Sequence, residues 1–498
     1  MKGSGNMKLG DVFLSASSIK EAEGRASFSG VSQMTLMENA ARETISALTK
    51  KKVSLTGVAI ICGRGRNGGY GYSLACALVW QGINVSVVHV SPPKNEDSFK
   101  YMESFVAAGG RLRRYSDDPD EAADIITNAA LVVDALHGMA YSGEIRGEEL
   151  YLVELANASG GFILALDLPT GVYAEGRVSP NCVMADMTIT YTSHKAATLV
   201  TPASEYCGEV IVADIGVPDE ITRVLRPEGF VIGEEVLLTL PQREDCSNKS
   251  TFGTLLAVVG SPNMPGAAYL ASLGALRSGV GLLKLSSDAE TLSVLKNRLS
   301  EPVFLNFSKD MAIEHKPSAL LVGCGIGRGY DGVLDELFKG QKQTTIIDAD
   351  GINYLAQHIN VLMEMQGDVI LTPHPGEMAR LMGEDIEYIS KNRIECAKAF
   401  AMEFSLVLVL KGYHTVIASP DGGVYVNTTG DSSLAKGGSG DVLAGVIASL
   451  AAQGVPPLKA ACAGVYAHGK AADNLKTKYG ARGLLPHDLP AEIGRILG

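Results

Sequence analysis

The sequence predicts a two-domain α/β fold in which each half carries a parallel sheet covered by helices on both faces. Three observations predict it. Short, continuously apolar runs alternate with segments of helical spacing, the pattern left by strands buried on both sides. The 56 glycines suit many tight strand-to-helix turns. A stretch of weaker order, with R-P-E-G and L-P-Q-R-E-D, separates two such patterns, so the chain divides into residues 1–218, a linker 219–240 and residues 241–498.

Composition narrows the function classes. A hydrophobic fraction of 46% fills cores of this size. The net charge of −12, with no concentrated basic run, argues against nucleic acid as a partner. No apolar stretch reaches the length that spans a bilayer, and the N-terminus lacks a basic segment followed by an apolar core, so the cytoplasm is the expected compartment. The eight cysteines are scattered without a C-x-x-C pair, which predicts buried thiols and neither disulfides nor zinc.

In the front half, residues 14–50 read as helical, with Met34, Met37, Ala41, Ile45 and Leu48 on one face. A strand at Val58–Ile61 leads into the loop C-G-R-G-R-N-G-G-Y-G-Y and a helix from Ser73 to Gln81. Further strands are expected at Val85–Val90, Leu131–Asp134, Phe162–Asp167, Met187–Tyr191 and Val210–Val212. Ligands of such sheets collect at the carboxyl ends of strands, where the Gly63 loop, Asp134 and Asp167 all fall. A cap after a strand is the plain alternative for either aspartate.

The rear half opens with a strand within Gly253–Ser261 and continues with strands at Ala319–Val322, Thr345–Asp348, Val369–Leu371, Leu406–Leu410 and Val424–Val426. Polar motifs follow these strands: G-A-A-Y-L from Gly266, the glycine cluster Gly323–Gly329, D-A-D at Asp348–Asp350, T-P-H-P-G-E at Thr372–Glu377 and K-G-Y-H-T at Lys411–Thr415. The last is A-K-G-G-S-G-D-V-L-A-G, from Ala435 to Gly445, where a glycine loop opens a helix. The first amides of a helix lack carbonyl partners and sit at its positive end, and glycine lets a phosphate come close, so this reads as an anion site, with an N-terminal cap behind a flexible glycine lead-in as the plain alternative. A carboxylate beside bound phosphate is unfavourable unless chemistry needs it. Asp441 therefore reads as a base acting on the group that meets the phosphoryl.

In this order, the rear motifs resemble the ADP- or ATP-dependent NAD(P)H-hydrate dehydratases, and the resemblance covers residues 241–498. It implies a ribokinase-like α/β fold. Ala267, Gly325, His374 and Asp441 would meet the hydrated nicotinamide nucleotide. Lys411, Gly412, Tyr413, His414 and Thr415, with Gly438, Ser439 and Gly440, would hold ADP or ATP. Glu377 would help order Mg²⁺ through water. Asp441 would take the proton of the ring hydroxyl as it attacks the phosphoryl, and phosphate would then leave where hydroxide could not. Asp348 and Asp350 are read as caps and stay off this list.

The front motifs, M-E-N-A at Met37–Ala40, the loop at Gly63–Gly71, V-D-A-L-H-G around Asp134, D-L-P-T-G at Asp167–Gly171 and Lys195, resemble the NAD(P)H-hydrate epimerase domain over residues 10–218. That implies a Rossmann-like three-layer α/β/α domain. Asp167 and Lys195 would be catalytic. Arg66, Asn67, Gly68, Gly69, Tyr70, Gly138 and Asp167 would contact substrate, and Asn67, Asp134 and Thr170 would hold K⁺. The resemblance also implies homo-oligomers. The chain departs from the family loop G-x-G-N-N-G-G-D-G at Arg66 and Tyr70, and Gly138-Met139-Ala140 stands where the family has G-T-G. These changes leave two readings of the front half, a weakened epimerase or a binding module kept for assembly. The runner-up for the rear half is a ribokinase-like kinase of a small alcohol or vitamin precursor.

Overall fold

Strands built from Val, Ile, Leu and Ala have no polar face to turn to water, so they take the middle of a sheet. In the computed structural model, which describes residues 10–307, 315–327 and 329–498, the apolar runs do so in two compact units. One unit is Val12–Glu228. The other is Gly229–Gly498 with residues 10 and 11. The stretch read as a linker carries its own elements: the helix Asp219–Arg223 and the strand Gly229–Ile232, which pairs in parallel with Val424–Asn427.

The first unit has a seven-stranded, all-parallel sheet. Its order is Arg111–Arg114, Val85–His89, Val58–Cys62, Leu131–Ala135, Phe162–Leu166, Met187–Tyr191, Glu209–Ala213. Strand order reverses direction between Val58–Cys62 and Leu131–Ala135, and the loops after such a pair diverge to leave a crevice. The helix that covers this reversal starts earlier than expected, at Arg66, and runs to Trp80. Gly68, Gly69 and Gly71 of the supposed loop therefore lie inside a helix, and Gly65 caps it. A Cβ on Gly68 would stand 1.8 Å from the Gly63 carbonyl oxygen, so close backbone approach is the reason for glycine there. The single helix expected over 14–50 is two, Ala16–Phe28 and Gln33–Lys50, each capped by a serine and separated at Gly30.

The second unit places Val407–Leu410, Val369–Leu371, Thr344–Ile347, Ala319–Val322, Thr254–Val258, Leu282–Ser287 and Val303–Asn306 side by side and parallel. Val416–Ala418 runs antiparallel to Val407–Leu410 and to Val424–Asn427. The helix Ser439–Ala452 packs on Pro265–Arg277 through bare backbone: a Cβ on Gly445 would lie 2.0 Å from the Ala271 carbonyl oxygen. That contact seats the start of Ser439–Ala452 at the strand ends. All eight cysteines are free and all but Cys246 are buried. No helix among the described residues is long and apolar enough to cross a membrane.

Candidate active sites

In the first unit a cavity of about 380 Å³ opens at the strand reversal. Its walls include Arg66, Asn67, Tyr70, Gly138, Met139 and Asp167. The predicted contacts Gly68 and Gly69 are outside these walls: a Cβ on Gly69 would meet Ser98 and Met37, so both glycines serve helix packing.

Asp167 sits at φ +68, a conformation that costs a non-glycine residue and persists only where neighbours enforce it. Its amide donates to the Ile189 carbonyl at 2.7 Å, and its Oδ2 accepts from the Met139 amide at 2.8 Å. Oδ1 accepts from Lys195 Nζ at 2.7 Å. Lys195 spends its other donors on Thr190 Oγ1 at 2.6 Å and the Tyr191 carbonyl at 3.0 Å, and it is 0% exposed. An ammonium has three N–H donors, so none is left for a ligand. Lys195, predicted to be catalytic, thus spends all three donors within the protein, one of them on Asp167. The Met139 amide does the holding there, so the change from the family's G-T-G leaves this bond intact.

Asn67 donates to the His137 and Leu166 carbonyls at 2.7 and 3.0 Å, while its buried Oδ1 has no donor. Asp134 is 1% exposed. It accepts from the Thr170 hydroxyl and amide, both at 2.7 Å, and from the Leu136 amide at 3.1 Å. Burial still pushes its carboxyl above the ordinary aspartate value, against the Thr170 bonds that pull it down. Arg66 pairs with Glu23, a buried carboxylate of the helix Ala16–Phe28 that sequence reasoning did not single out. Tyr70 tilts against Tyr191 with ring centroids 4.5 Å apart, and its buried hydroxyl has no hydrogen-bond partner.

In the second unit five adjacent strand ends supply the polar groups. Gly438 opens the final helix at φ +103, a left-handed conformation that glycine alone adopts freely, and Asp441 follows in the first turn. The Cys324 Sγ and the carboxylates of Asp348 and Asp441 lie within 4.8 Å of one another. Burial raises the Asp441 carboxyl, and Asp348 adds to it while Lys411 opposes, leaving it at about 6. Lys411 Nζ donates to Asp348 Oδ1 at 2.7 Å and stands 4.0 Å from Glu377 Oε2. Burial works against its charge, but Asp348 and Glu377 outweigh that and hold its pKa above the ordinary lysine value. Asp348, read from sequence as a cap, instead centres the site, since Oδ1 also accepts from the Thr372 hydroxyl at 2.7 Å.

Gly440 lies against this ammonium: its Cβ would be 3.3 Å from Lys411 Nζ. Ala267 and Gly325 face each other, for a Cβ on Gly325 would be 2.7 Å from that of Ala267. His374 and Glu377 form a reciprocal cap on Pro375–Met382. The His374 Nδ1 accepts from the Gly376 and Glu377 amides, and Glu377 Oε2 accepts from the His374 amide at 2.8 Å. A wide cavity of about 830 Å³ lies by Gly327, Asp350, Asn353 and Arg380, and the predicted substrate contacts are outside its walls.

Two residues escaped the sequence reading. His468 is buried, and burial drives its pKa down to about 4 against a bond to the Ser439 backbone, so a neutral imidazole backs the glycine turn. Arg393 is 3% exposed and donates to the carbonyls of Tyr413 at 2.6 Å and Leu410 at 3.2 Å, bracing the K-G-Y-H-T turn from beneath. For His468, a lone polar residue on an apolar helix was the available signal, whereas Arg393 opens its helix between Asn392 and Ile394 in a polar stretch that gave none. In that turn Tyr413 is exposed and stacks on His414 with centroids 4.0 Å apart, and the Thr415 hydroxyl donates to the Gly412 carbonyl. Arg393→Met is expected to raise the nucleotide KM about tenfold at nearly unchanged kcat, because the brace acts on binding rather than on the reacting atoms. Steady-state kinetics at varied nucleotide checks it.

The comparisons agree with this division. Residues 33–197 match the family described as YjeF-related protein N-terminus, and residues 255–495 match NAD(P)H-hydrate dehydratase. The chain is 34% identical over 483 residues to the bifunctional NAD(P)H-hydrate repair enzyme of Moorella thermoacetica, covering 92% of this chain and 91% of that one. The chain belongs to the bifunctional NAD(P)H-hydrate repair enzymes. The repair enzyme of Escherichia coli is 31% identical over 445 residues, with 88% and 84% covered. Among solved structures, the ADP/ATP-dependent NAD(P)H-hydrate dehydratase from Bacillus subtilis, co-crystallised with ATP and Mg²⁺, is 35% identical. It covers 53% of this chain and 96% of its own, at a TM-score of 0.48. A ribokinase-like superfamily protein from Enterococcus faecalis, 24% identical over 55% of this chain and 97% of its own with a TM-score of 0.50, shows the fold of the rear unit. Membership in the repair enzymes favours the dehydratase reading over the vitamin-kinase alternative.

Proposed function

We propose that the rear unit dehydrates the S form of hydrated NADH or NADPH at the expense of ADP or ATP, and that the front unit interconverts the R and S hydrates. The observation that carries the rear assignment is Asp441. Its carboxyl is held at about 6 on the first turn of a helix behind Gly438, Ser439 and Gly440, within reach of the Lys411 and Asp348 pair. Such a group is mostly ionised at neutral pH yet basic enough to accept a proton from the ring hydroxyl. The Gly440 and Asp441 amides of that turn bind the phosphoryl on which the hydroxyl forms its new bond, whereas the Ser439 amide is held by the Lys436 carbonyl. Elimination of the phosphate then restores the ring double bond.

Mg²⁺ would enter with the nucleotide phosphates and neutralise their charge. Glu377 fits only an outer place around it, because its Oε2 is committed to the His374 amide. In the front unit the donor-free Oδ1 of Asn67 and the Asp134 carboxylate are hard oxygens that fit K⁺. The Thr170 hydroxyl fits less well, since it donates to Asp134 and accepts from the His137 amide. Association into homo-oligomers belongs to the same reading.

The test incubates the protein with each hydrate epimer separately, with Mg²⁺ and ADP or ATP, while following the return of dihydronicotinamide absorbance. The S form is expected to respond at once and the R form to follow through epimerisation. Silence on both, with nucleotide turnover on a small alcohol, would replace this reading with the kinase one.

A further inference from the structure

Proton transfer in the front cavity needs a titratable atom that is not already committed. Both Asp167 oxygens already accept a bond, Oδ1 from Lys195 and Oδ2 from the Met139 amide. Lys195 is sealed from the cavity with all its donors used. The Tyr70 hydroxyl is unpartnered, but burial pushes its pKa far up, so it does not ionise.

Glu23 is different. It reaches the same wall from the helix Ala16–Phe28, is 3% exposed, and is held through Oε2 by Arg66. Among the described residues its Oε1 makes no hydrogen bond. Burial raises its carboxyl above the ordinary glutamate value. Arg66 pulls it back and Asp167 pushes it further up. A carboxyl raised in this way binds its proton more firmly than a free glutamate does.

We propose that Glu23 is a catalytic residue of the front cavity, the acid and base that carries the proton to and from the ring hydroxyl during epimerisation. This rests on the epimerase reading of that unit. Glu23 gives its proton to the hydroxyl oxygen as the carbon–oxygen bond breaks. The bonding pair leaves with the oxygen as water, and the lone pair of the ring nitrogen forms a C=N⁺ bond at the same carbon. Water returns to the opposite face, its oxygen pair forms the new bond, and its surplus proton goes to the Glu23 carboxylate. Atoms and charge balance, and no further reactant is consumed. The Asp167 carboxylate, fixed by Lys195, faces the transient cation, and the Tyr70 and Tyr191 rings wall it off.

The experiment measures conversion of the R hydrate of NADH to the S hydrate by chromatography without ADP or ATP, so that the dehydratase is silent. Glu23→Gln is expected to lower kcat about a hundredfold or more with KM within about twofold. Glu23→Asp, which keeps a carboxylate on a shorter arm, is expected to be at least about tenfold faster than the amide variant. Nucleotide-dependent dehydration of the S hydrate should be unchanged in both, and an unshifted urea transition of the front unit is the control for its folding. An amide variant within about threefold of the parent, a rise in KM at intact kcat, or an amide faster than the aspartate overturns the role, because a structural partner of Arg66 is served as well by glutamine. A front-unit transition shifted to much lower urea in both variants also overturns it, as the mark of a purely structural residue. A parent protein no faster than the buffer blank defeats the epimerase reading itself, and the proposal with it.

Discussion

Asp441→Asn is expected to lower hydrate dehydration by about a hundred- to ten-thousandfold, the range for removing a proton-transfer group, while leaving nucleotide binding largely intact. The same change is expected to stabilise the rear unit. The folded carboxyl sits at about 6 against 3.8 for an ordinary aspartate, so the folded state holds its proton more tightly than the unfolded one. The ionised form therefore costs stability. That cost is absent below about pH 4, grows between about pH 4 and 6 and is complete above it. At about 1.4 kcal/mol per pH unit, discounted because the carboxyl is partly open to solvent, it comes to about 1–2 kcal/mol at pH 7. Denaturant midpoints followed by circular dichroism should favour the asparagine variant at pH 7 and not at pH 4. In the parent, the loss of the base form should cut dehydration about tenfold per pH unit below about pH 6.

The second large effect is structural. Lys195→Met leaves the Asp167 carboxylate buried with its counter-charge gone, and breaking a buried pair from one side costs about 3–5 kcal/mol. Asp167 is also the residue held at positive φ, so the loss falls on backbone already under strain. Hydrogen exchange of front-unit peptides in urea, read by mass spectrometry, reports that unit's unfolding, since the chain's single tryptophan, Trp80, is 69% exposed and responds little. The expected result is a large shift of that transition to lower urea with dehydration by the rear unit spared. Removing both partners in Lys195→Met with Asp167→Leu should recover much of the stability and none of the epimerisation. An unshifted midpoint in the single variant would show that the pair contributes nothing to folding.

Which parts of the fold were legible follows from where each strand sits. Val58–Cys62, Leu131–Ala135 and Met187–Tyr191 are buried along their whole length and read directly as apolar runs. Arg111–Arg114 does not, because it is an edge strand, and R-L-R-R turns its charges to water. Gly229–Ile232 and Val416–Ala418 were too short to stand out from their surroundings. At the sites, the glycine turn and Asp441 were visible because a carboxylate next to an anion hole is chemically odd. Glu23, Arg393 and His468 were not. Each works through a contact distant in sequence: Glu23 with Arg66, Arg393 with the carbonyl of Tyr413, His468 with the Ser439 backbone. No local spacing encodes such contacts. The commitment of all three Lys195 donors was hidden for the same reason, since only the fold brings Asp167, Thr190 and the Tyr191 carbonyl to it.

The antiparallel return of Val416–Ala418 has a consequence of its own. A parallel neighbour would have sent the chain behind the sheet for a dozen residues or more, whereas this hairpin brings it back after the five residues 411–415. Lengthening so short a connection is entropically cheap, about 0.6 kcal/mol for each doubling. Insertion or deletion at the hairpin tip thus leaves the sheet, and the turn that opens Ser439–Ala452, in place.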